Sequence, residues 1–198
     1  MVDELLKDAR TPEGPLQILQ AGLEAGIQVV VHTLEAYETH YLLLQLGKRI
    51  PLSDLGYGAH LCNMALVNAA ASWDGFKGNI VRAVKDSGHS LNRPQLQGHL
   101  KQISSYKHIV EPLARRHCIV HNLAKVDQDY KRDVPSSSLD EGDSLEVNLP
   151  YLKDASLAFF EAAVELVQFL VGAKLLPKGQ EKTIGKFQRG PDIQKQGV

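Results

Sequence analysis

Cysteine is nearly missing from this chain. Cys62 and Cys118 are its only two, far apart and without a CxxC pair, which excludes a disulfide framework and a zinc ribbon. Both read as reduced thiols. Long apolar runs are missing too: no eighteen consecutive apolar residues occur, so no membrane span is expected. The opening segment, Met1 to Arg10, is too acidic and too broken for a secretory signal, and the expected location is the cytoplasm. Charge of one sign is the third absence. A formal net charge of -1 supplies no global attraction toward nucleic acid. Aromatic residues make up only 6% of the chain. The single Trp73 reads as a packing residue, and Tyr37 and Tyr41, four apart, read as core or dimer interface rather than a base-stacking platform.

What is present, 43% hydrophobic and 23% charged residues, is the composition of a globular protein with room for one sizeable core. The expected division is a single domain over residues 1–176 and a flexible basic tail over 177–198, rich in Gly, Lys and Gln. Charge is distributed unevenly along it. From His99 to Asp133 seven Lys and Arg face four Asp and Glu, and from Lys174 to Val198 six face two, leaving nine basic against seventeen acidic residues elsewhere.

Apolar residues from Leu16 to Leu46 recur at three- and four-residue steps, the period of an amphipathic helix, with a break expected near Gly26. A second helical pattern starts at Asp54 and closes at Ser87-Gly88, with Gly75 and Gly78 as points of division. Asn92 with Pro94 marks a third entry, carrying Leu96, Leu100, Ile103 and Val110 until Pro112 kinks or restarts the helix. Asp133 to Ser144 has loop chemistry, and Asp127 and Asp129 read as a solvated loop. Leu145 to Leu149 alternates as a short strand or an extended entry, and Pro150 opens a last helix running to about Leu176. Four to five helices with almost no strand pattern predict an all-α up-and-down bundle.

The densest chemistry is Arg115-Arg116-His117-Cys118-Ile119-Val120-His121-Asn122. Three readings compete for it. His117 and His121, four apart, would share a helical face as zinc ligands do, yet no third ligand is evident. Alternatively, Ile119 and Val120 anchor a helix end while the polar side chains cap it or are solvated. The third reading is phosphate chemistry on RNA, in which an imidazole moves the 2'-hydroxyl or leaving-group proton and a guanidinium stabilises the charged phosphorus. His121 and Arg116 suit those roles. On a continuous helix they lie roughly 140° apart, so they converge only where the helix ends or bends between them. One chain supplies one good histidine for the reaction, and two facing copies would supply both proton-transfer roles. The remaining histidines, His32, His40, His60, His89, His99 and His108, form no informative spacing.

Arg116-x4-His121, with His117 after the arginine, Ile119-Val120 between and Asn122 following, resembles the RxxxxH signature of the HEPN superfamily of nucleotide-binding domains. The resemblance covers mainly residues 93 to 175, including the polar segment from Lys125 to Tyr130. It implies a helical bundle whose two copies face one cleft, acting in many members as a metal- and cofactor-independent endoribonuclease with toxin or defence roles. In other members the same dimer is a non-catalytic module that binds a nucleotide, RNA or a protein. Carried over by position, Arg116 and His121 would be catalytic, with His117 and Asn122 as polar supports that orient the imidazole or the phosphate; Arg115 either shares the phosphate contacts of Arg116 or points to solvent. Leu123 departs from a toxin branch that carries tyrosine there and pairs with an antitoxin-type protein.

Overall fold

The computed structural model describes residues 14–45 and 57–178, with side chains described for 15–35 and 58–178. Six α-helices lie within them: α1 (Gly14–Gln45), α2 (Tyr57–Asp86), α3 (Arg93–Leu100), α4 (Tyr106–His121), α5 (Gln128–Asp133) and α6 (Leu149–Gly172). No strand occurs among the described residues, and the sole β feature is an isolated antiparallel bridge between Lys125 and Ser144. The protein is an all-α helical bundle. The expected tail beyond Lys178, the Asp54 start and the side chains of Tyr37 and Tyr41 lie outside the described residues.

Helices α2 and α6 form the central pair, and α1 and α4 each pack against both of them. Their seam is filled by Trp73, Phe76 and Phe159, whose rings lie 5.5 and 5.8 Å from Trp73 by centroid. Truncating Phe159 to alanine would cost about 3–5 kcal/mol in such a core. Helix α6 is apolar and long enough to cross a bilayer by composition, but half of its apolar window is buried inside the bundle.

The helix starts follow local chemistry. Asn92 caps α3 in a box with Gln95, each side chain binding the other's backbone N–H. Asn148 caps α6 with Pro150 in the first turn, and Asp127 caps α5. The α2 stop is a Schellman turn at Gly88, φ +82°, with the His89 N–H on the Val84 carbonyl at 3.1 Å.

Several expected breaks are corrected. Gly26, Gly75 and Gly78 interrupt nothing, because the packed faces of α1 and α2 outweigh roughly 1 kcal/mol of glycine propensity each. Gly22 instead brings α1 close to α2: a Cβ there would meet Ser72 Oγ at 3.1 Å. The third helical pattern divides at Lys101 to Ser105, not at Pro112, which sits unbroken inside α4. The carbonyl that Pro112 leaves without an i+4 donor belongs to His108, an exposed residue near the helix start. Glu165 of α6 determines the division point. Its carboxylate accepts from the backbone N–H groups of Ser104 and Ser105, both at 2.8 Å, and from both hydroxyls. Partial desolvation pushes that carboxylate up, but the serine donors outweigh it and hold it at about 2.

Candidate functional site

The octet forms the last turns of α4 and the residue that caps it. Side chains leave this helix in three directions. Ile109, Leu113 and Ile119 face the main core, while Ala114 and Cys118 face a second, smaller core of Val126, Tyr130, Val134 and Leu145. His117, Val120 and His121 point outward and are exposed. Cys118 therefore replaces Val120 as the apolar anchor: Cys118 is fully buried, and Val120 is 46% exposed. Burial pushes the Cys118 thiol above its ordinary value, against an Asp127 backbone N–H that pulls it down.

Arg116 falls on the edge of the core stripe, three residues after Leu113 and seven after Ile109. It is half-buried, and its Nε is buried with no hydrogen bond. The imidazoles of His117 and His121 stand side by side, ring centroids 4.7 Å apart at 45°, and neither forms a hydrogen bond or ion pair with a described residue. The helix ends after His121 rather than between the pair, so Arg116 and His121 stay on different faces of consecutive turns. The bend expected between them is absent.

Arg115 and Asn122 are drawn into the fold. The Arg115 guanidinium pairs with Glu111 at 2.8 Å, donates to the Glu146 carbonyl at 2.7 Å and lies 4.3 Å from the Tyr151 ring centre. Glu111 also accepts from the hydroxyls of Tyr130, at 2.9 Å, and Tyr151. Burial, then the Glu111 carboxylate, pushes the Tyr151 phenol far above its ordinary value, so it stays a donor at neutral pH. This four-residue network joins α4 to α5 and α6, and sequence reasoning missed it. Its signal was the i,i+4 pair Glu111 and Arg115, one of the helix spacings at which opposite charges meet.

Asn122 donates its amide to the Lys125 carbonyl at 2.9 Å and its backbone N–H to Cys118 at 2.8 Å. The turn it starts is strained: Leu123 and Ala124 take φ of 53° and 59°, a left-handed region costly for residues with a Cβ. Leu123 is 92% exposed at its tip. The segment after the turn is pinned by the Leu145 N–H on the Ala124 carbonyl at 2.7 Å and the Val126 N–H on Asp143 at 2.9 Å. Leu145 and Val147 are buried and Glu146 and Asn148 exposed, the alternation expected of an extended entry. Asp127 and Asp129 are not a solvated loop. Asp127 accepts from the Tyr130 N–H at 2.8 Å, and Asp129 pairs with Arg132 at 2.7 Å, in a helix the hydrophobic period had no length to reveal.

No group of three His, Cys, Asp or Glu able to hold a metal occurs among the described residues. A groove of about 720 Å³ lies between α2 and α3, lined by Asp74, Lys77, Val81, Arg93, Leu96 and Gln97, and includes none of the octet. Comparison of the chain with protein-family models, with curated proteins and with solved structures gives no match.

Proposed function

We propose that the protein is a HEPN-like endoribonuclease that cleaves RNA without metal or cofactor, in a cleft completed by a second copy of the chain. The carrying observation is the end of α4, where two exposed imidazoles without a hydrogen-bond partner among the described residues stand beside an arginine whose buried Nε likewise finds none there. Buried polar groups are nearly always satisfied, so an orphaned guanidinium nitrogen next to exposed imidazoles supports a role for that edge in binding an anion. His121 transfers protons between the ribose 2'-hydroxyl and the leaving 5' oxygen, Arg116 stabilises the charged phosphorus, and His117 supports the neighbouring imidazole. Exposed Val120 and Leu123 beside them give a second copy apolar surface to cover.

RNA cleavage in chelator by the parent, His121→Ala and Arg116→Ala tests this. The parent is expected to give 2',3'-cyclic phosphate ends, with a loss of about 100-fold or more in each variant. Equal activity in all three, or none in any, removes the catalytic reading.

A non-catalytic dimeric module that binds a nucleotide, RNA or a protein is the second reading. It is favoured by the unbroken helix between Arg116 and His121, which holds them roughly 140° apart in one chain. Growth arrest on expression, relieved by His121→Ala, would count against it.

A further inference from the structure

The relation between His117 and His121 has a chemical consequence independent of RNA. Two imidazoles bound to one metal through nitrogens at about 2.0–2.1 Å, at angles between a right angle and tetrahedral, hold their ring centres roughly 4.5–5.2 Å apart. The observed separation is 4.7 Å. That separation falls inside this range, and the i,i+4 spacing lets each ring turn a nitrogen toward one ion. Both rings are solvent-facing, neither has a competing hydrogen bond among the described residues, and consecutive turns of one helix keep their backbones at fixed spacing. The carbonyl end of α4, where they sit, carries partial negative charge that favours a bound cation.

We infer that His117 and His121 form a two-imidazole chelate for a divalent transition ion of the zinc, nickel and copper class, and that the bound ion switches the site off. Imidazole donors suit these ions, whereas magnesium and calcium require oxygen ligands that this face lacks. Water fills the remaining coordination positions. The chelate uses the nitrogen lone pair that His121 needs to take a proton, so occupancy competes with proton transfer. This second half rests on the ribonuclease reading; metal capture does not.

The experiment is calorimetric titration of the untagged full chain with nickel chloride, beside His117→Ala, His121→Ala and His60→Ala. His60 is an exposed histidine on α2 and serves as the control. The parent is expected to show one site per chain that weakens by about tenfold or more in either α4 variant, because losing one arm makes capture monodentate. His60→Ala should stay within about twofold of the parent. Parent-like affinity in either α4 variant overturns the chelate. For the switch, cleavage is followed against rising nickel, each protein normalised to its own rate in chelator. Inhibition of the parent, with the midpoint moved upward at least tenfold in His117→Ala, is expected, and cleavage untouched by saturating nickel overturns the switch. A chain that cuts no RNA in chelator fails the ribonuclease reading and the switch together, while the titration alone decides the chelate.

Discussion

Replacing Arg115 by alanine should destabilise the fold far more than replacing Arg116, although the two are adjacent and chemically identical. Arg115 forms an ion pair with Glu111 in which the side chains are only 13% and 27% exposed, a 2.7 Å bond to the Glu146 carbonyl, and a cation–π contact with Tyr151. Hydrogen bonds to charged groups contribute about 1.5–3 kcal/mol and a partly exposed cation–π contact about 0.5–1. Glu111 keeps the Tyr130 and Tyr151 hydroxyls after the substitution, so its carboxylate is not left bare. The loss is therefore expected near 3 kcal/mol, at the lower edge of the range for a broken buried pair. Arg116→Ala loses stem packing but also removes a buried Nε that binds nothing, and should cost about 1 kcal/mol or less. Urea unfolding checks both: with a slope of about 2 kcal/mol per molar, Arg115→Ala should lower the midpoint by about 1.5 M at unchanged slope. A midpoint within about 0.25 M of the parent would refute the network's role, as would a larger drop in Arg116→Ala.

Glu165 should make stability depend on acid. Its folded value of about 2 lies below an unfolded value near 4.3, so the stabilisation is fully present above the unfolded value and fades as pH falls toward 2. Discounted for solvent screening, the parent should exceed Glu165→Gln by about 1 kcal/mol at pH 7 and match it near pH 2; a gap that stays constant with pH would rule this out. Gly26→Ala places a Cβ in open space inside α1 and should raise Tm by about 2–4 °C, while Gly22→Ala, crowded by Ser72 Oγ, should gain less. Thermal scans giving the reverse order would contradict the packing of α1 on α2. Leu123→Gly should stabilise by about 1 kcal/mol by relieving a left-handed residue that packs against little; a loss in urea unfolding would show that the tip is held by contacts.

Legibility in the sequence follows how local each cause is. The entries at Asn92 and Pro150, the Gly88 stop and the extended Leu145–Val147 segment were readable because each is decided within a few residues. The division before α4 was misplaced at Pro112 because its cause, Glu165, lies sixty residues away in sequence and on another helix. Ser104-Ser105, two residues of the type that opens helices, was the available local clue. Asp127 was misread for a different reason: its cap is local, but one turn of helix has too few residues for a hydrophobic period. Its purpose is visible only once Tyr130 is seen under Cys118 in the small core.

The octet looked uniform in sequence because one-dimensional density carries no direction. On a helix each step turns roughly 100°, so eight residues sample every side, and their chemistry is sorted by what each side meets. Arg115 meets Glu111 and Tyr151, Cys118 meets the small core, and Asn122 meets its own turn. Only His117 and His121 face outward together among the polar members, with Arg116 at the rim of the core stripe. Whatever binds the octet must approach along the His117–Val120–His121 face and reach sideways for Arg116. An RNA phosphate contacting both would have to reach roughly 140° around the helix, or receive the arginine from a second copy whose α4 ends against the first. The outward histidines are therefore available to a ligand from one chain alone; under the proposed ribonuclease reading, in which a second copy supplies the arginine, dilution that separates the copies should abolish RNA cleavage and leave metal capture intact.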